Sequence, residues 1–526
     1  MKIKFKKKNQ ENSNFPQKFI DSLFNSFKQY KKPVFMVICV LGILITSYFT
    51  YFRNYTEPKF PVLDEGFYIP AAQKYIDNVM YMQNNPPLGK MIIALGERLV
   101  NPNKNIDKHD LLNDEVIGTL DNYSYAGVRL FPVLFATLSS LLLFLIFYLL
   151  SRHYVLSALF TSLYLFENAS IAHYRAAMID GTLLFFILGT ILYFVYLIQR
   201  KKDISSWNYF LLGSLSGLPI AVKSNGAIVL LLFVFLFIYD KKIGVESIKF
   251  NLAFVKDSLT KFRSFGMAVL LVYLSVMYIH VAFGRNVVNN DADYYKNYAS
   301  EGYKEILKKG DTANLFKFPL MLMDNLSYMK NYQERMPKID KDRSSYPFEW
   351  ATGARGFFYL HWNDNEKIQE IFLVGNPIIW FIGFVSVILS IALIIAKIVF
   401  QLKDPPENLE NIEEKQRLFN YIIVFTALYL CYMIAMSQIG RVLYLYHYLV
   451  PLVFSFILAL LVFKYIFIDY IKKHDKVLCM SVILTIAVII YTYNFFSPLT
   501  YYKALSNNDF LQRAWFSQWG LLKYDE

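Results

Sequence analysis

The residues with the clearest capacity for chemistry lie between Val62 and Glu97, in the stretch VLDEGFYIPAAQKYIDNVMYMQNNPPLGKMIIALGE. Two adjacent carboxylates, Asp64 and Glu65, follow the first long apolar run, and a Pro-Pro turn then leads into Lys90. A carboxylate at the mouth of an apolar bundle can be desolvated enough to accept a proton near neutral pH. Asp64 is equally suited to capping a short helix that continues to Tyr81, with Glu65 in its favourable first turn, so both roles stand open. Further along, Arg129, Arg175, Lys223 and Arg441 stand at the ends of apolar runs, with Glu167 and Asp180 close by in sequence. Single cations at such places are commonly snorkelling anchors. Gathered on one face they suit an anion such as a lipid phosphate, with the carboxylates as partners. Aromatic side chains collect around Trp350 and in RGFFYLHWND from Arg355, where they form either an interfacial belt or a stacking wall.

Apolar spans must position these groups. The chain has 526 residues, of which 55% are hydrophobic and 18% aromatic, more than a soluble core requires. Runs of near-bilayer length recur at 33–52, 131–150, 154–169, 181–198, 207–222, 227–239, 264–283, 377–399, 418–436, 442–463 and 477–493, about eleven in all. The reading is an all-α polytopic membrane protein. It has a basic cytoplasmic tail at 1–32, a membrane body at 33–495 with external loops at 53–130 and 284–374, and an external tail at 496–526. Basic clusters at 1–8, 200–202, 241–263 and 464–476 fall inside under one orientation, which puts Asp64, Arg175, Lys223 and Arg441 outside. The net charge of +13 therefore reflects topology and argues against a nucleic-acid partner. Cys39, Cys431 and Cys479 are too dispersed for a disulfide framework or a zinc site, and the scattered histidines, His447 among them, lack ligand spacing. No cofactor and no metal are expected.

The chain resembles the protein O-mannosyltransferases, and the likeness covers nearly its whole length. It rests on the Asp64-Glu65 pair, PPLGK, VRLF before the second span, HYRAAMID from His173, AVKSNG from Ala221, SYPFEW from Ser345, GNPIIW from Gly375 and LYHYLVP from Leu445. The tail LSNNDFLQRAWFSQWG looks like that of bacterial members. The resemblance implies a GT-C fold and an inverting transfer of a hexose, most simply mannose, from polyprenyl phosphate to Ser or Thr of exported proteins. Asp64 would be the general base, and Glu65 and Arg129 would shape the acceptor or sugar site. Lys90, Arg175, Asp180, Lys223, Trp350, Arg355, Arg441 and His447 are the remaining substrate-binding candidates. Asn85 stands where the family usually has His, so donor contacts there differ. The large external loop has no room for the MIR domain of eukaryotic members, which suggests a prokaryotic enzyme of the plasma membrane. Its expected partners are the lipid-linked donor, an exported protein and the protein-export machinery. A lipid-modifying enzyme resembling the aminoarabinose transferases and a transporter are the alternatives.

Overall fold

Helices are what apolar runs must form in a bilayer, because only they satisfy every backbone polar group within the segment. The computed structural model describes residues 34–522 except 109, 117, 201–202, 244–250, 338–343, 364–366, 403–408 and 474. The expected basic tail at 1–32, and parts of the 200–202, 241–263 and 401–417 loops, lie outside the described residues. In chain order, α1 (Val34–Phe52) leads into α2 (Glu65–Ile76) and α3 (Leu88–Val100), which do not span. There follow α4 (Ala126–Ser151), α5 (Tyr154–Leu165), α6 (Asn168–Tyr174), α7 (Ile179–Gln199), α8 (Ser206–Val222), α9 (Ser224–Asp240) and α10 (Leu252–Phe283). The long segment next carries α11 (Glu301–Lys308), α12 (Phe318–Arg335), α13 (Pro347–Trp350), β1 (Phe358–Asn363) and β2 (Lys367–Phe372). Then come α14 (Pro377–Val399), α15 (Leu409–Ser437), α16 (Leu445–Lys472) and α17 (Lys476–Thr500), with β3 (Leu505–Ser506) and α18 (Asn507–Leu511) beyond.

Among the described residues eight helices are long and apolar enough to cross a membrane, or nine if α5 and α6 form one span bent by 65°. All eleven expected runs are helical, and the two beyond these nine are the shortest. The two runs at 207–222 and 227–239 are helical, as α8 and α9, but too short to pass the same test. They are short because the chain folds back sharply between them. A side chain at Gly226 would place its Cβ only 2.4 Å from the Pro219 carbonyl oxygen, so only glycine allows the turn.

The bend between α5 and α6 also has a local cause. Glu167 starts α6 by accepting hydrogen bonds from the amides of Ala169 (3.2 Å) and Ser170 (2.5 Å). It accepts two more from the Asn376 amide (3.1 Å) and Trp380 Nε1 (2.9 Å), tying the GNPIIW motif to the bend. Glu167 is thus spent on backbone and indole donors rather than paired with a cation.

Two features add to the expected helical body. A small antiparallel sheet of β1, β2 and β3 joins the helices. The segment from 496 onward, expected as an external tail, packs against the rest of the chain. Its first residues complete α17, β3 pairs with β2, and Phe496, Phe510 and Trp519 share a small core with Phe372. The main core surrounds α16, almost every residue of which is buried, while α1 and α17 lie at the edge.

Candidate active site

The chain reaches Asp64 in an unusual conformation. Leu63, just before it, has φ +49°, a left-handed geometry that costs a branched residue energy and is found where the surroundings enforce it. The enforcing contacts belong to Glu65, which is wholly buried. Arg129 donates to it in a fork, from Nε to Oε1 and from Nη2 to Oε2, each at 2.7 Å. The Val62 amide (2.8 Å) and the Ala177 amide (2.5 Å) fill the remaining acceptor positions. Arg129 spends its other donors on the carbonyls of Thr56 (3.1 Å), Pro58 (2.8 Å) and Phe60 (2.9 Å). Glu65 and Arg129 therefore hold the 56–65 loop against α4 and α7 instead of lining the acceptor or sugar site as the resemblance implied.

Asp64 behaves differently. It begins α2 through its carbonyl, which accepts from the amides of Phe67 and Tyr68 at 3.0 Å, but its side chain makes no capping hydrogen bond. Among the described residues its carboxylate is neither ion-paired nor hydrogen-bonded, and it stays partly accessible. Desolvation raises its pKa above the ordinary carboxylate value; Lys223, His173 and Lys90 pull the other way, and Asp180 adds to the rise. Those four are its electrostatic neighbours. The hydroxyls of Tyr68, Tyr359 and Tyr446 lie within reach of its charge.

The surrounding groups form a linked set. Lys223 Nζ donates to Asp180 Oδ1 at 2.9 Å, and His173 Nε2 lies 3.4 Å from Asp180 Oδ2. His173 Nδ1 is 2.8 Å from the Tyr359 hydroxyl, and its ring stacks on Tyr446 with centroids 4.9 Å apart. His447 stacks on the same Tyr446 at 4.5 Å, and Lys223 lies 5.3 Å from that ring's centroid. Arg441 is partly exposed at the rim and acts electrostatically on Tyr446 and His447. From the other side comes Lys90, buried, donating to Asn84 Oδ1 at 2.8 Å and facing the Tyr68 ring. Desolvation pushes the Lys90 pKa down to about 7, with Asp64 opposing the fall. A Cβ on Gly89 would meet Ile179 at 2.7 Å, so the glycine of PPLGK lets α3 approach the start of α7 and brings Lys90 in.

The structure thus gathers Asp64, Lys90, Asp180, Lys223, Arg441 and His447 at one end of the bundle. Asn85 lies beside them, 3.3 Å from Asn84 Oδ1. Three candidates sit elsewhere. Arg175 donates to the carbonyls of Tyr51 (2.6 Å), Arg53 (2.9 Å) and Asn54 (2.7 Å), which leaves it pinning the end of α1. Trp350 is fully buried beneath His447, with Nε1 on Ser345 Oγ at 2.8 Å. Arg355 reaches toward Glu349 at 3.5 Å, and its amide bonds to the Gln518 carbonyl. Sequence reasoning did not name His173, Tyr359 and Tyr446 as site residues, although HYRAAMID, RGFFYLHWND and LYHYLVP hold one each. No group of three His, Cys, Asp or Glu among the described residues is arranged to hold a metal ion.

Comparison with known proteins bears on the family and the fold. Residues 41–252 match the family model "Dolichyl-phosphate-mannose-protein mannosyltransferase", and residues 321–519 match "C-terminal four TMM region of protein-O-mannosyltransferase". Protein O-mannosyl-transferase 2 of Danio rerio is 29% identical over 212 residues, 38% of this chain and 26% of its own length. Dolichyl-phosphate-mannose--protein mannosyltransferase 4 of Schizosaccharomyces pombe is 29% identical over 207 residues, 34% of this chain and 25% of its own. The matched stretch thus spans about a quarter of the length of these curated relatives. The S. cerevisiae protein O-mannosyltransferase Pmt1-Pmt2 complex, solved bound to the sugar donor, shares the fold with a TM-score of 0.74 at 14% identity, covering 92% of each chain. Between them the two family models match most of the sequence, including every residue gathered around Asp64, and the chain belongs to the protein O-mannosyltransferase family.

Proposed function

We propose that the protein transfers mannose from a polyprenyl-phosphate donor to Ser or Thr hydroxyls of exported proteins. The observation that carries this reading is Asp64: a desolvated, unpaired, partly accessible carboxylate facing Lys223 and Lys90. The acceptor oxygen attacks the anomeric carbon of the sugar as Asp64 takes its proton. The bond from that carbon to the phosphate oxygen breaks, and polyprenyl phosphate leaves with the electron pair. Attack opposite the leaving group inverts the anomeric centre. Lys223, Lys90 and Arg441 offset the charge that builds on the phosphate, and Tyr446 gives the sugar a ring face. Side-chain cations carry the charge in this scheme, so it needs no divalent metal and no cofactor.

Positive-inside bias supports an N-terminus in the cytoplasm and Asp64 at the outer face, and the likeness of the tail to bacterial members supports the plasma membrane. There, acceptor chains pass as they leave the export machinery. With Cys39, Cys431 and Cys479 replaced, a cysteine at Asn122 should react with an impermeant reagent on intact cells, and one at Asn251 only after permeabilisation. The decisive experiment incubates the purified protein with a panel of labelled polyprenyl-phosphate sugars and a Ser/Thr peptide. Mass spectrometry should show a hexose on the peptide with the mannosyl donor, and no transfer from any donor would overturn the reading.

A further inference from the structure

Where α1 and α17 end lies a cavity of about 780 Å³. Arg53, Lys59 and Lys503 line it, with Arg175 at its back and Glu57 as its one carboxylate. Among the described residues none of the three forms an ion pair. Arg53 and Lys503 lie only over the rings of Phe49 and Tyr501, at 5.6 and 5.7 Å. The cations that line this cavity outnumber its single negative charge, which favours an added anion.

Depth narrows the choice of anion. Arg53 follows the last residue of α1, and Lys503 lies just beyond the last of α17, both of which span. The cavity is therefore at the level of lipid headgroups. Phe49, 52% exposed, stands on its membrane side. A single snorkelling lysine needs no built site, but three cations lining one cavity between two span ends make it electropositive and suited to a phosphate.

We propose that this cavity binds the phosphate headgroup of an anionic membrane phospholipid, and that the bound lipid steadies the loop leading to Asp64. The loop itself makes the link. Arg53 and Lys59 bracket the run whose carbonyls Arg175 and Arg129 hold, at Arg53, Asn54, Thr56 and Pro58, and Glu65 closes it on the Val62 amide. Arg175 has three of its five donors on backbone carbonyls, so the exposed cations are the ones best placed to meet the lipid. This site is independent of whether the protein transfers a sugar.

The test uses the full chain in nanodiscs of phosphatidylcholine with a minor share of phosphatidylglycerol, and native mass spectrometry of the lipid retained. The parent should keep a phosphatidylglycerol that the Lys59→Gln/Lys503→Gln variant holds roughly tenfold or more weakly, as expected for lost charge-assisted contacts. The Lys59→Arg/Lys503→Arg variant should keep it. Equal retention by the Gln variant, or loss in the Arg variant, overturns the proposal. Displacement by polyprenyl phosphate would assign the cavity to the donor instead, and displacement by inorganic phosphate to a soluble anion; either overturns it. Amide exchange across residues 53–63 should slow when phosphatidylglycerol is present, and unchanged exchange overturns the steadying of the loop.

Discussion

Glu65 accepts four hydrogen bonds, two of them from an arginine far along the chain, while the carboxylate one position before it accepts none among the described residues. Both belong to the same dipeptide at the same helix start. Their difference shows how this fold separates holding from reacting. The Glu65–Arg129 pair is buried and saturated, so its charges are unavailable to a substrate. Asp64 stays free because its neighbour does the holding, and it stands in the field of Lys223 and Lys90.

The largest effect should come from breaking the closed half of this comparison. Arg129→Ala leaves Glu65 ionised and wholly buried without its partner, a loss of about 3–5 kcal/mol for pairs of this kind. A thermal melt in detergent should show a large drop in midpoint and poor recovery of inserted protein. Replacing both, as Glu65→Leu/Arg129→Met, should recover much of the stability, since an apolar pair of similar volume avoids the desolvation. A normal melt for Arg129→Ala would mean that the pair is not what holds the loop.

Asp64→Asn tests the open half. Its size is unchanged and it breaks no hydrogen bond of the Asp64 side chain, so the melt should match the parent's. Single-turnover transfer with saturating donor and peptide should slow by roughly 10²–10⁴, the usual range for a positioned base. A rate within about threefold of the parent, below the weakest effect expected of a general base, rules Asp64 out of that role.

The same contrast divides the cations. Lys223→Gln should weaken binding of polyprenyl phosphate by about one to two orders of magnitude, the cost of a charge-assisted contact. Arg175→Gln should lower the melting midpoint and leave donor affinity nearly unchanged, because its donors serve three backbone carbonyls. Donor titrations of both variants check this. The reverse pattern would exchange their roles.

Much of this fold could be read from hydropathy, because spans announce themselves by length and by the basic residues that flank them. The short α8 and α9 could not be counted reliably, since their fold-back depends on a close approach at Gly226. The sheet was hidden because β3 lies more than a hundred residues beyond its partner β2. In the site, motif order located the right stretches but not which side chains face inward. Arg129, Arg175 and Lys223 look alike in sequence, each a cation at the end of an apolar run. What separates them is the supply of carbonyls nearby: the loop after α1 turns its carbonyls to Arg129 and Arg175, while Lys223 meets Asp180. Trp350 was legible as a site residue only through its motif, and its burial under His447 required the fold.

The smallest expected effect, and the finest test of the open site, is the pH profile. Asp64 works as a base only when deprotonated, so kcat/KM should fall as pH drops through its pKa. Burial raises that pKa, which places the acid limb above the range of an ordinary carboxylate. Lys90 runs the other way. Its cation is present below its pKa, brought down to about 7, and is lost as pH rises past that value. If Lys90 helps to hold the donor phosphate, kcat/KM should also decline on the basic side, giving a narrow bell for the free enzyme. The two groups act on each other, so the limbs belong to the pair. Lys90→Arg separates them, because a guanidinium stays charged throughout the range. The basic limb should then move far upward, and the acid limb should stay in place, since Lys90 already carries its charge on the acid side. A basic limb that stays in place in Lys90→Arg would assign it to another group and remove Lys90 from the donor site.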